Sequence, residues 1–216
     1  MKRFSQVCGY SIEPIIGQTR YAFALSNMMD FQDLVELATR GGCTGNVLVF
    51  YDLSSGAVFA PFEPEKNVVY RAPVYAAGAF YFLRGDYNHK TVSLVRYLPG
   101  QVAEVETILD LEAVNTYNLS IIGEDVYIVS VDERFDCYYP ERFSFQLEEN
   151  ETPIFIRDGK VYLEAWVEEG WDEINHCAGE NYCYYNRTVV RDFAGNKCAD
   201  ERGALFQAFD GTWWLG

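Results

Sequence analysis

Histidine is almost missing from this chain, which holds only His89 and His176. Beside Asp86 or Asp172, either one could ligate a metal, but two ligands are a weak basis for a histidine-built centre. The six cysteines, Cys8, Cys43, Cys137, Cys177, Cys183 and Cys198, include no C-x-x-C pair, which removes a zinc knuckle. No apolar run reaches the roughly 20 residues needed to span a bilayer as a helix. Lys2 and Arg3 are not followed by a continuous apolar stretch, so no secretory signal is read and a cytoplasmic protein with reduced thiols is expected. The sequons at Asn118, Asn150 and Asn186 then carry no weight. A nucleophile elbow, a phosphate loop, a dinucleotide fingerprint and an EF-hand spacing are all absent. No cofactor is expected, calcium among carboxylates being the one candidate ion.

Basic residues are also scarce. Lys and Arg number 17 against 32 Asp and Glu, a net charge of −15. Such a surface repels phosphate backbones and anionic lipid, so nucleic acid and membranes are poor partners. A basic protein or another cationic ligand fits better, although acidity also simply keeps a protein soluble. A monomer is expected.

What is abundant is apolar and aromatic, 49% and 16% of the residues. These residues recur in a degenerate repeat, an apolar run, a glycine turn and an aromatic-rich strand. It reads IEPIIGQTRYAFAL at Gly17, VYAAGAFYFL at Gly78, LSIIGEDVYIVSV at Gly123, PIFIRDGKVYLEAW at Gly159 and LFQAFDGTWWL at Gly211. The glycines lie 61, 45, 36 and 52 residues apart, near the period of a four-stranded propeller repeat. The expectation is an all-β chain, residues 1–216 forming a single five-bladed β-propeller. The final hairpin supplies only half a blade and KRFSQVCGY has no local partner. Pairing of the N- and C-terminal segments is therefore expected to close the ring. One segment breaks the period-2 pattern: SNMMDFQDLVELATRGG predicts a short helical insertion near 28–40, ended by Gly41 and Gly42.

Tyr51-Asp52-Leu53-Ser54-Ser55-Gly56 and Asp158-Gly159-Lys160-Val161-Tyr162 resemble the turns of bacterial five-bladed β-propeller repeats. The paired glycines of kelch repeats, the Tyr-Trp-Thr-Asp signature and regular Trp-Asp strand ends are missing, so no named family's functional residues transfer.

In that geometry the turns between second and third strands share one rim with the links between repeats. Sorted this way, about two thirds of the acidic residues fall on one rim. The candidate binding residues are Asp30, Asp33 and Glu36 on the helix, Asp86, Asp132 and Glu133. A long loop over 168–180 adds Glu168, Glu169, Trp171, Asp172, Glu173 and His176. Carboxylates with nearby aromatics suit a cation. The reading is a non-catalytic scaffold that engages a basic protein or cationic ligand through this acidic rim. A lectin-like sugar or small-molecule binder is the alternative. A glycoside-active enzyme is a third, but the inner strands offer it only Glu13. Trp213 and Trp214 are expected to pack in the core.

Overall fold

The computed structural model describes residues 1–216 and is all-β, with 50% of residues in strands and 6% in helix. Five antiparallel sheets follow one another along the chain, each built from consecutive strands. The first joins β1 (Glu13–Pro14), β2 (Tyr21–Leu25), β3 (Leu48–Asp52) and β4 (Val58–Phe59), with helix α1 (Phe31–Thr39) between β2 and β3. In the second, β5 (Val68–Tyr70) and β6 (Val74–Ala76) both pair with β7 (Ala79–Asp86), followed by β8 (Thr91–Tyr97) and β9 (Glu104–Asp110). The third is β10 (Ser120–Ile122), β11 (Tyr127–Val131), β12 (Arg134–Tyr139) and β13 (Phe143–Gln146). The fourth is β14 (Glu151–Arg157), β15 (Lys160–Asp172), β16 (Cys177–Asp192) and β17 (Lys197–Arg202). The last is only the pair β18 (Leu205–Gln207) and β19 (Trp213–Leu215).

The repeat glycines do what the sequence asks of them. Gly17, Gly78, Gly123, Gly159 and Gly211 all adopt positive φ, between +71° and +100°, in the turns that join strand pairs. The prolines are equally positional. Pro14, Pro73 and Pro153 lie in or beside the first strand of their sheets, an edge where a missing N–H costs no ladder bond. Pro73 also marks the break that splits one edge strand into β5 and β6.

Alternating apolar residues weld the first four sheets face to face. Phe23, Phe50, Phe80, Phe82 and Tyr97 fill the space between the first and second. Leu83, Val92, Leu94, Leu119 and Ile128 join the second to the third. Val129, Phe135, Val161, Leu163 and Val189 join the third to the fourth. Helix α1 begins with a capping box, Asp33 N–H donating to Asp30 Oδ1 at 2.8 Å and Asp30 N–H to Asp33 Oδ2 at 3.3 Å. It buries Phe31 and Leu34 in the junction of the second and third sheets. Gly85 of β7 makes that seat, since a Cβ there would lie 2.6 Å from the Phe31 ring. The insertion is thus a plug over core.

The terminal closure expected from the sequence does not occur. β18 pairs only with β19, and residues 1–12 form no strand. Ser5 N–H instead donates to Gly56 O at 2.8 Å, and Phe4 packs on Tyr51 with ring centres 4.8 Å apart. The reason is local: the second face of the first sheet, Ala22, Ala24, Val49 and Tyr51, is apolar, and Phe4 and Tyr10 cover it. The last hairpin does touch the turn of the first sheet, where Gly17 N–H donates to Phe209 O at 3.1 Å. A side chain at Gly211 would stand 3.3 Å from Gly17 Cα, so both turns depend on glycine.

Candidate functional site

Two candidate sites arise from this arrangement. The first is a cavity of about 290 Å³ that takes lining from all five sheets, through Ile15, Val74, Ile122, Phe155 and the pair Gln207 and Trp213. Nine of its 13 lining residues are apolar and none is acidic. Trp213 stacks on Phe155 at 4.4 Å and belongs to this packing, as expected, whereas Trp214 is exposed.

The second site is acidic and lies on the link between the third and fourth sheets. Glu148, Glu149, Asn150 and Glu151 separate two open clefts of about 500 and 510 Å³. Asp132 and Glu133, at the turn between β11 and β12, form the far wall of the first. Glu168, Glu173 and Trp166, with Arg187, Lys197 and Asp200, line the second.

A buried ion pair holds the link in place. Arg191 on β16 reaches Glu151 and Glu148, each at 2.7 Å, with side-chain exposures of 7% for Arg191 and 1% for Glu151. Glu148 N–H donates to Glu151 Oε2 at 2.9 Å, which fixes the turn that carries the carboxylates. Arg191 and then Lys197 hold the Glu148 carboxyl below its ordinary pKa. Arg187 and Lys197 both pair with Asp200. The basic side chains along this wall are therefore already engaged. Asp132, Glu133, Glu149 and Glu173 have no basic partner.

The residues singled out from the sequence divide accordingly. Asp132, Glu133, Glu168 and Glu173 come together around the two clefts. Asp30 and Asp33 are consumed in the helix cap, and Glu36 pairs with Arg40 at 2.7 Å. Asp86 is 1% exposed and so cannot meet a ligand. Burial opposes its ionisation, but the hydrogen bond from His89 at 2.9 Å and the Arg84 charge at 3.0 Å outweigh it and keep its pKa low.

The loop expected over 168–180 is instead a long hairpin. β15 runs to Asp172 and β16 resumes at Cys177, leaving a four-residue turn that ends at His176. Cross-strand pairs supply the reason: Tyr182 Oη donates to Glu168 at 2.5 Å and Tyr185 Oη to Glu169 at 2.7 Å, while Trp171 packs on Tyr182. Those bonds raise the pKa of both tyrosines. Asp172 is tied to the turn by Asn175 and Ile174, which lowers its own pKa. Glu169, Trp171, Asp172 and His176 line neither cleft.

Glu148, Glu149 and Glu151 fall on the acidic rim read from the sequence but were not singled out as contacts, and Arg191 was missed altogether. The run Leu147-Glu148-Glu149-Asn150-Glu151 was the available signal, but its basic partner lies 40 residues away along the chain. Compared with family models, curated proteins and solved structures, the chain has no match.

Proposed function

We propose that the five sheets are the blades of a β-propeller, its last blade two strands wide, and that the protein is a non-catalytic binding module for a Lys/Arg-rich segment of another protein. The sequential four-stranded meanders and the cavity lined from all five sheets support the propeller reading. The observation that carries the function is the imbalance at the link between the third and fourth sheets. Asp132, Glu133, Glu149 and Glu173 have no cation of their own, while every nearby Arg and Lys is committed. Four partner-free carboxylates on two adjoining clefts attract a chain carrying several positive charges, and Trp166 on the same wall offers a ring to stack against its aliphatic stems.

Fluorescence anisotropy of a labelled lysine-rich peptide, against a glutamate-rich control, tests this. Binding is expected for the cationic peptide alone and weakens about tenfold between low and physiological salt, because exposed charges are screened. The triple variant E133Q/E149Q/E173Q keeps the fold and lowers affinity by about tenfold or more. Binding that ignores both salt and the triple variant refutes the proposal.

A further inference from the structure

The last sheet stops at two strands while the other four are four strands wide. Its outer edge is open in a defined way. Ala204 and Gly216 exchange both backbone hydrogen bonds, at 2.8 and 3.1 Å, so the alternation of an antiparallel ladder turns the Trp214 N–H and C=O inward toward Phe206. The N–H and C=O of Trp213 and Leu215 therefore face outward, and no backbone group pairs with them. Exposed edges are normally blunted by charge, proline or a bulge. Here Asp210 is the only charged side chain in 203–216, and the edge reads Trp-Trp-Leu-Gly. Around it Phe206 and Trp214 are each 62% exposed, Phe209 76% and Leu215 44%.

We infer that two copies of this chain pair antiparallel through β19, making one four-stranded sheet across a two-fold axis. The register follows from the outward groups. Trp213 lies opposite Leu215 of the second copy and Leu215 opposite its Trp213, giving about four backbone hydrogen bonds in two narrow pairs. Trp214 then meets its own equivalent at the axis, in the closer, non-hydrogen-bonded position, with Phe206 beside it on the same face.

Such an interface is self-complementary, as a two-fold requires. Asp210 is the one charged side chain in its strip, so little repulsion opposes pairing there between two chains of charge −15. A cationic partner is drawn to the acidic clefts instead. An exposed aromatic side chain presents roughly 200 Å², so the four exposed residues offer on the order of 500 Å² per copy. That total stands at the low end of specific interfaces and predicts a reversible dimer in the micromolar range or weaker.

Sedimentation velocity on the full chain, from about 1 to about 300 μM, reads this directly. Self-association is expected, and it strengthens as salt screens the like charges. W214K puts two ammonium groups at the axis and L215P removes an outward N–H. Each weakens dimerisation about tenfold or more, and W214K sits at an exposed position where the fold tolerates it, checked by circular dichroism. Under mild oxidation W214C links to its equivalent in the second copy, identified by peptide mass spectrometry; absence of that link overturns the register. A chain that stays monomeric throughout, or association unchanged by W214K and L215P, overturns the inference.

Discussion

Replacing Arg191 by Met removes the cation from a pair whose carboxylate partner, Glu151, is 1% exposed. Glu151 would then be left charged and buried, with only the Glu148 N–H for company. Breaking a buried pair from one side costs about 3–5 kcal/mol, mostly the unmet desolvation of the remaining charge. In a chain of this size each kcal/mol moves the melting temperature by about 2–4 °C, so R191M is expected to melt about 6–20 °C lower. Glu148 also loses the first of the two cations that depress its pKa. The companion variant E151L/R191M removes both charges and fills their space with apolar groups, and recovers half or more of the loss. Differential scanning calorimetry at neutral pH on wild type, single and double variants settles the matter. A fall below about 3 °C for R191M, or a double variant no better than the single, refutes the assignment of the pair as the anchor of the link.

Three other perturbations probe different parts of the molecule. G85A pushes a methyl group into the Phe31 ring under helix α1; overpacking of this kind costs about 1–3 kcal/mol, read by urea unfolding, and F31A, which empties the seat, costs about 3–5 kcal/mol. Asp52 accepts hydrogen bonds from Arg20 at 2.9 Å and from Ser54 at 2.6 Å, which hold its carboxyl well below the usual range. A depressed acid stabilises fully above its unfolded pKa of about 3.9 and loses that contribution as pH falls toward its folded value. The melting temperature of wild type should therefore drop more steeply below pH 4 than that of D52N, and parallel curves would refute the link. Burial pushes the Cys137 thiol up to about 11, and Cys43 is buried as well. Iodoacetamide at mildly alkaline pH is expected to label Cys177, Cys183 and Cys198 in the native protein, and Cys43 and Cys137 only after unfolding, as mapped by mass spectrometry.

Much of the architecture was legible from the chain because its signals are short-range. Period-2 apolar runs around Gly17, Gly78, Gly123, Gly159 and Gly211 locate the strand pairs, since a two-residue alternation and a positive-φ turn are both decided within about ten residues. The helix and its cap at Asp30 were readable for the same reason. The acid-rich ends of the strands were also visible in the sequence.

Tertiary structure alone decided how those acids are used. It buried Asp86 against Arg84 and His89, spent Asp30 and Asp33 on a helix cap, and brought Arg191 across 40 residues to seat Glu151. It turned residues 168–180 from a loop into a hairpin through cross-strand Tyr–Glu bonds. It also sent Phe4 to the open face of the first sheet rather than to the edge of β19, because covering apolar area there outweighs a few backbone bonds. Local pattern determines which residues form strands and turns. Which carboxylates stay free, and which sheet edge stays open, depends on contacts between residues far apart in the chain, and these exist only once the sheets have packed.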